Sequence, residues 1–349
     1  VPTPRSRYRP GAPPDYGHRF HAGNVGDVWK HCALVEILRR AAAAGGRVAY
    51  VDTHAGEGRY ALGPTGEWTE GIGRLWDAAR ATTWNDTVAR YVALCRRLGA
   101  GGERPHRYPG SPALARAVLA AEAELLLFER DPAAFAHLAA DCRGDGRVRL
   151  ECGDGLAALG EALRAAERQA RAVVALIDPS YAQKADWTVV PAALIDAVGR
   201  STRACVVLWY PVKSLTRPNA MVARLEAARV PGTIAELVTT PLGLRRHRLN
   251  GSGLLLVRPP AGTLEALGAA APVLGALCAT HGTWSLRMRS WTPDASGTHA
   301  SGSVGTRGVL RGALTDREPD PRPPRPHGRA RPEDGAPRPE SARSGARRA

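Results

Sequence analysis

A chain of 349 residues with 44 % hydrophobic content can bury a sizeable core, as one large domain with an insertion or as two ordinary domains. No apolar run approaches the roughly 18 residues of a membrane span, and the first residues lack the apolar core of a signal peptide, so the expected compartment is the cytoplasm. The formal charge is +15; nine arginines against six acids from Asp316 onward account for three of it and leave twelve in the remainder. A basic body suits a polyanion, most commonly nucleic acid, although a merely basic soluble protein would show the same balance. Six cysteines (Cys32, Cys95, Cys142, Cys152, Cys205, Cys278) contain no C-x-x-C pair, which indicates neither a metal site nor a disulfide framework; they read as reduced and mostly buried. Only three lysines occur (Lys30, Lys184, Lys213), and a flexible ammonium is not interchangeable with the rigid guanidinium fork that dominates elsewhere.

Residues 1–14 are rich in Pro and Arg and read as a disordered extension; from 292 to 349 the Gly, Ser, Pro, Arg and Asp content, with almost no apolar periodicity, reads as a disordered tail. Between them, residues 15–291 alternate helix-like and strand-like stretches. A helix is expected over 25–44, with Val28, Cys32, Val35, Ile37 and Leu38 on its apolar face, followed by a buried strand over 47–52. From 62 to 107 no strand-like run appears, but Trp68, Trp76, Trp84 and a helical stretch over 84–98 suggest a small helical insertion; a long ordinary crossover is the alternative. Further strands are expected over 124–129, 148–152, 172–178, 204–210, 233–240 and 253–258, most of them separated by alanine-rich helices. Such apolar strands alternating with helices indicate an α/β fold with a mostly parallel sheet covered on both faces. Ligands of such sheets bind at the carboxyl ends of the strands.

Those ends carry acids. The first strand runs into Asp52-Thr53-His54-Ala55-Gly56-Glu57-Gly58, where a G-x-G spacing lets backbone approach a nucleotide-type ligand; without the third glycine of the dinucleotide fingerprint, a simple tight turn is the alternative. The second ends in Glu129, a carboxylate suited to two ribose hydroxyls. The third ends in Cys152-Gly153-Asp154-Gly155, where Asp154 would bind an adenine amino group or simply cap the next helix. Together the three acids suit an adenosine moiety, and no Walker A sequence is present.

The fourth strand ends in Asp178-Pro179-Ser180-Tyr181, which resembles the D-P-P-Y motif of amino-group methyltransferases with Ser in place of the second proline. An adenine amino nitrogen is a poor nucleophile because its lone pair is delocalised. Acceptors aimed at its hydrogens, the Asp178 carboxylate and the Pro179 carbonyl, favour the pyramidal geometry in which positive charge develops. Tyr181 would stack on the base. A strand-end Asp-Pro turn with a packing tyrosine is the bland alternative, and Ser180 puts the stiffness of the loop in question.

With Tyr16-Gly17-His18-Arg19-Phe20-His21-Ala22-Gly23-Asn24 and Asp27-Val28-Trp29-Lys30-His31 added, and with Tyr108-Pro109-Gly110-Ser111-Pro112 and Trp209-Tyr210-Pro211-Val212-Lys213 following in order, the chain resembles the RlmJ family of 23S ribosomal RNA adenine-N(6) methyltransferases over roughly 16–291. The resemblance implies a Rossmann-like class I fold, S-adenosyl-L-methionine as cofactor, and a pocket lined by Lys30, His31, Asp52, His54, Gly56, Ser111, Glu129, Asp154, Gly155 and Asp178. It further implies Asp178, Pro179 and Tyr181 as the catalytic group, Tyr16 on the RNA-facing side, and a helical insertion that binds RNA. The implied partner is 23S ribosomal RNA, protein-free or early in assembly, and the implied state is a monomer. His18, His21 and His31 could instead form one structural cluster. A DNA adenine methyltransferase, a non-catalytic RNA-binding protein on the same fold and a protein-glutamine methyltransferase are the rival readings.

Overall fold

Asn24 starts the long N-terminal helix by accepting a hydrogen bond from the backbone N–H of Asp27 (3.0 Å), while the Asp27 carboxylate reaches back to the N–H of Gly23 (2.8 Å), a reciprocal cap that satisfies two otherwise orphaned donors. In the computed structural model the described residues are 18–78, 84–99, 101–244 and 249–293, all within the unit Val1–Leu314. The expected extension 1–14, Tyr16 and the expected tail beyond residue 293 lie outside them. Among the described residues no helix is long and apolar enough to cross a membrane.

A short turn of helix, α1 (His18–His21), leads into α2 (Val25–Ala43), which is buried on nearly every side and so carries no simple amphipathic stripe. Its Trp29 indole donates to the Ala235 carbonyl (3.1 Å), fixing the helix across the sheet. The first strand, β1 (Val48–Asp52), is followed by the short pair β2 (Arg59–Ala61) and β3 (Arg107–Pro109), antiparallel with Tyr60 opposite Tyr108. Between these two lie a 3-10 turn (Glu67–Thr69), α3 (Ile72–Ala78) and α4 (Asp86–Leu98). Trp68, Ile72, Leu75, Trp76, Tyr91 and Cys95 bury this segment against the same core as α2. Next come α5 (Ser111–Val118), β4 (Glu124–Glu129), α6 (Pro132–Asp141), β5 (Val148–Cys152), α7 (Gly155–Gln169), β6 (Ala172–Ile177), α8 (Asp186–Arg200), β7 (Cys205–Val212), α9 (Thr216–Ala227), β8 (Gly232–Val238), β9 (Gly251–Val257), α10 (Thr263–Cys278) and β10 (Ser285–Trp291).

Eight strands form one sheet in the order β10-β8-β9-β7-β6-β1-β4-β5. The five from β7 to β5 are parallel, whereas β9 runs antiparallel to β7 and to β8, and β10 antiparallel to β8. Side chains alternate between two cores: Val48 and Tyr50 of β1 face α2, α5 and α10, while Ala49 and Val51 face α7 and α8. The chain leaves β1 to build β4 and β5 on one side and returns to build β6 and β7 on the other, so β1 and β6 flank the topological switch point.

The α/β class and the sheet, parallel over five strands, match the sequence reading, and six later strands fall within two residues of their expected bounds. The sequence reading does not assign β10, in which Leu286 and Met288 alternate with Arg287 and Arg289 on a strand that is only half-buried.

Candidate active site

Every strand of the parallel run points its carboxyl end into one crevice. Asp52, the last residue of β1, is fully buried and accepts from the Tyr50 hydroxyl (2.7 Å), the Ser111 hydroxyl (2.7 Å) and the His54 N–H (3.2 Å). Burial raises its pKa to about 6 even against those hydrogen bonds. Asp52 is thus the floor of the crevice, tying β1 to the first turn of α5. Beside it the His54 Nδ1 meets the Thr53 hydroxyl (2.8 Å), and burial lowers the His54 pKa to about 4, leaving the ring neutral.

Glu129 closes the next strand. Its two oxygens take the N–H of Gly56 (2.8 Å) and of Asp131 (2.7 Å), which locks the turn after β1 onto the end of β4. Gly56 sits at φ +63°, a conformation that a side chain would strain. Asp154 caps α7 by accepting from Leu156 (3.0 Å) and Ala157 (3.2 Å) through Oδ1 alone. Gly155 lies flat against the backbone of Thr53, where a Cβ would collide with the Thr53 carbonyl.

On the other flank of the switch point, the Lys30 ammonium reaches Asp178 (2.5 Å) and Asp27 (2.7 Å) with only 5 % of the residue exposed. Burial alone would favour the neutral amine, but the two carboxylates outweigh it and hold the Lys30 pKa above the usual lysine range. Burial likewise opposes ionisation of Asp27, and the Lys30 charge more than compensates, lowering its pKa. Trp209 lies 5.3 Å from the ammonium, its indole donating to the Ser252 hydroxyl (2.8 Å), which in turn donates to the Gly26 carbonyl (3.2 Å).

Past Asp178 the backbone turns sharply. Tyr181 has φ +51°, unusual for an aromatic residue, and its ring is 7 % exposed, 4.5 Å from Trp187 and 6.3 Å from Trp209 between centroids. Its hydroxyl has no hydrogen-bond partner among the described residues. The Ser180 hydroxyl accepts weakly from the Ala182 N–H (3.4 Å), so a local side-chain turn stands where the family motif has a proline ring.

The residues singled out from the sequence therefore fall into two adjoining groups. Asp52, His54, Gly56, Ser111, Glu129, Asp154 and Gly155 surround the ends of β1, β4 and β5, and Lys30, Asp178, Pro179 and Tyr181 stand at the end of β6. His31 turns elsewhere: it pairs with the Tyr108 hydroxyl (2.7 Å), which meets that of Tyr91 (2.9 Å), and burial lowers the His31 pKa to about 3. His21 instead contacts Glu67 (2.9 Å), so these two histidines belong to separate networks. Sequence reasoning missed Asp27 and Trp187. Asp27 carried a signal, an acid three residues before a buried lysine on one helix, whereas nothing local marked Trp187.

Five parallel strands in the order β5-β4-β1-β6-β7, an antiparallel β9 between β7 and β8, and acids at successive strand ends on both sides of the switch point define a class I methyltransferase fold. A family model described as "Ribosomal RNA large subunit methyltransferase D, RlmJ" matches residues 46–292. The chain is 33 % identical over 286 residues to ribosomal RNA large subunit methyltransferase J of Haemophilus influenzae, covering 80 % of this chain and 99 % of that protein. It is 33 % identical over 251 residues to the Escherichia coli K12 protein of the same name, covering 70 % and 87 %. The solved structure of protein LPL1258 from Legionella pneumophila superposes with a TM-score of 0.71 at 25 % identity, over 77 % of this chain and 98 % of that one. The chain belongs to the RlmJ family.

Proposed function

We propose that this chain transfers a methyl group from S-adenosylmethionine to the exocyclic amino group of an adenine in 23S ribosomal RNA. The observation that carries this reading is Asp178, a carboxylate at the carboxyl end of β6 beside the switch strand, followed by Pro179 and Tyr181 and paired with a buried lysine. The relatives' names supply large-subunit ribosomal RNA as substrate class, and the basic balance of the chain suits it.

The residues of the other group fit the cofactor. Each Glu129 oxygen takes one backbone N–H and keeps a lone pair for a ribose hydroxyl, and the Asp154 Oδ2, which takes no hydrogen bond among the described residues, suits an adenine amino group. Gly56 and Gly155 let the turn after β1 and the start of α7 close on Tyr60 and on the Thr53 backbone, where a Cβ would collide, and neutral His54 together with Ser111 completes the wall. When bound, the cofactor supplies an electrophilic methyl group on a positively charged sulfur.

The chain's own residues prepare the nucleophile. Asp178 and the Pro179 carbonyl accept from the two amino hydrogens and draw the nitrogen lone pair out of conjugation. Lys30 holds the Asp178 carboxylate in place, and it is itself fixed by Asp27 and the Trp209 ring. Tyr181, backed by Trp187 and Trp209, offers the base an apolar wall. Residues 15–291 form the methyltransferase domain, working in the cytoplasm as a monomer on RNA that is protein-free or early in assembly.

The test is methyl transfer from labelled S-adenosylmethionine to protein-free 23S RNA from a strain lacking its own enzyme, with duplex DNA in parallel and digestion of the product to nucleosides. Label should appear in N6-methyladenosine from RNA alone, and Asp178→Ala should lose about a thousand-fold in rate while still binding cofactor. Label in DNA alone would establish the DNA adenine reading instead, and undiminished activity of Asp178→Ala would remove the proposed chemistry.

A further inference from the structure

The crevice does not end at Tyr181. Its ring leans on Trp187, 4.5 Å away between centroids, in the first turn of α8, and the Arg217 guanidinium in the first turn of α9 lies 6.0 Å from the Trp187 ring centre. Exposure grows along this series: Tyr181 is buried, Trp187 half-buried and Arg217 exposed. Arg217 makes no hydrogen bond or ion pair among the described residues, which separates it from Arg39 and Arg40 on Glu36, Arg116 and Arg147 on Asp145, and Arg289 on Glu226. The half-buried indole packs its inner side on the core and leaves an exposed guanidinium over its ring, a cationic face that no acidic group among the described residues takes up.

We infer that Arg217, shelved on Trp187, binds the RNA phosphate adjoining the methylated nucleotide. Resting as it does on the proposed function, the inference names where the strand leaves the site. A base held at Tyr181 must be swung out of any stack, so its backbone is drawn toward the protein on one side. The two spacings place the guanidinium within roughly 11 Å of the Tyr181 ring, a span that one nucleotide bridges. Arginine suits the role because its planar fork meets two phosphate oxygens while its face stays on the indole. Trp187 is here a positioning residue, holding the fork at the crevice mouth. Val189, 54 % exposed two residues further along α8, and the exposed Lys184 and Lys213, on the loops that lead into α8 and α9 and without an ion pair among the described residues, add the mixed apolar and cationic character suited to a single strand.

The experiment uses the full chain and a labelled RNA hairpin containing the target adenine, with binding measured by anisotropy across a salt series and methylation measured on the same RNA. Arg217→Gln should weaken RNA binding about five-fold near 0.1 M salt and reduce the slope of log affinity against log salt by about one. KM for the RNA should rise in step while KM for the cofactor stays. Arg217→Lys should restore the slope with only part of the affinity, and Trp187→Leu, which also loosens the Tyr181 wall, should weaken RNA binding by less in the Arg217→Gln background than in the wild type. Arg149→Gln, at the far edge of the sheet, is the matched control and should leave binding and slope as they are. Unchanged slope and affinity in Arg217→Gln, or an equal loss in Arg149→Gln, overturns the inference whether or not the RNA is methylated. A wild-type chain that binds the RNA but methylates none fails the functional reading alone, and the slope comparison still decides Arg217; one that does not bind the RNA overturns both.

Discussion

The two edges of the central sheet are built from similar residues and treat them in opposite ways. At the amino edge an arginine-lined groove of about 970 Å3 runs between the starts of β1, β4 and β5, and four of its five arginines are neutralised: Arg47 and Arg149 by Glu124, Arg116 and Arg147 by Asp145. Glu167 nearby takes the Ser201 hydroxyl and the N–H groups of Thr202, Arg203 and Ala204. At the carboxyl edge a lysine is buried between two acids and two histidines are kept neutral, while among the described residues an aspartate is buried without a cation, a tyrosine hydroxyl has no partner and an arginine lies open on an indole. Charge at the amino edge holds loops together. The carboxyl edge holds polar groups at a cost in folding free energy, which a ligand can recover.

The largest test of this contrast is Lys30→Met, which leaves Asp27 and Asp178 without their shared cation. Unfolding in urea should show a loss of about 4 kcal/mol, and methyl transfer should fall with it. Asp145→Ala removes the matching hub of the amino edge, a carboxylate that the Arg147 hydrogen bonds hold well below the usual range. It should cost about 2 kcal/mol and leave the rate per folded molecule at the wild-type value; a specific activity that falls as for Lys30→Met would erase the distinction between the edges.

The pH dependence of stability reads the same edge. Asp52 has its pKa raised to about 6, while His31 and His54 are lowered to about 3 and about 4. Between roughly pH 5 and 6 the unfolded chain binds two histidine protons that the folded chain refuses, and the folded chain keeps one on Asp52 that the unfolded chain has lost. The unfolded state therefore holds one proton more, and stability should rise with pH there by about 1.4 kcal/mol per unit. Asp52→Asn should double that slope and His54→Asn should cancel it, both read from urea midpoints across pH. The smallest effect is expected of Tyr181→Phe. Removing a buried hydroxyl without a partner should leave the melting temperature unchanged or raise stability by about 1 kcal/mol, whereas a clear drop would mean that the hydroxyl is bonded in solution.

Much of the fold was legible because its signals are local. The run at 124–129 coincides with β4, which is apolar along its length because both faces are covered, and the run at 148–152 coincides with β5, an edge strand that shows itself by alternating Val148, Leu150 and Cys152 with Arg149 and Glu151. The strand β10 escaped because it closes the antiparallel edge, half-buried, with arginines in alternate positions. Likewise Glu129, Asp154 and Asp178 were legible as strand-end acids. The partners that give them meaning were not, because Lys30, held by Asp27, reaches Asp178 only across a separation of 148 residues.

By itself the sequence determined the parallel α/β character, the acids at successive strand ends and the Asp178-Pro179-Ser180-Tyr181 turn, all of which follow from burial and backbone preference within a few residues. Only the tertiary structure decided that β6 lies beside β1, that α2 carries a lysine under Asp178, and that Trp187 brings Arg217 to the mouth of the crevice. The physical reason is that strand order and helix crossing are set by the closure of the whole core, and no local period encodes which distant charges that closure brings together.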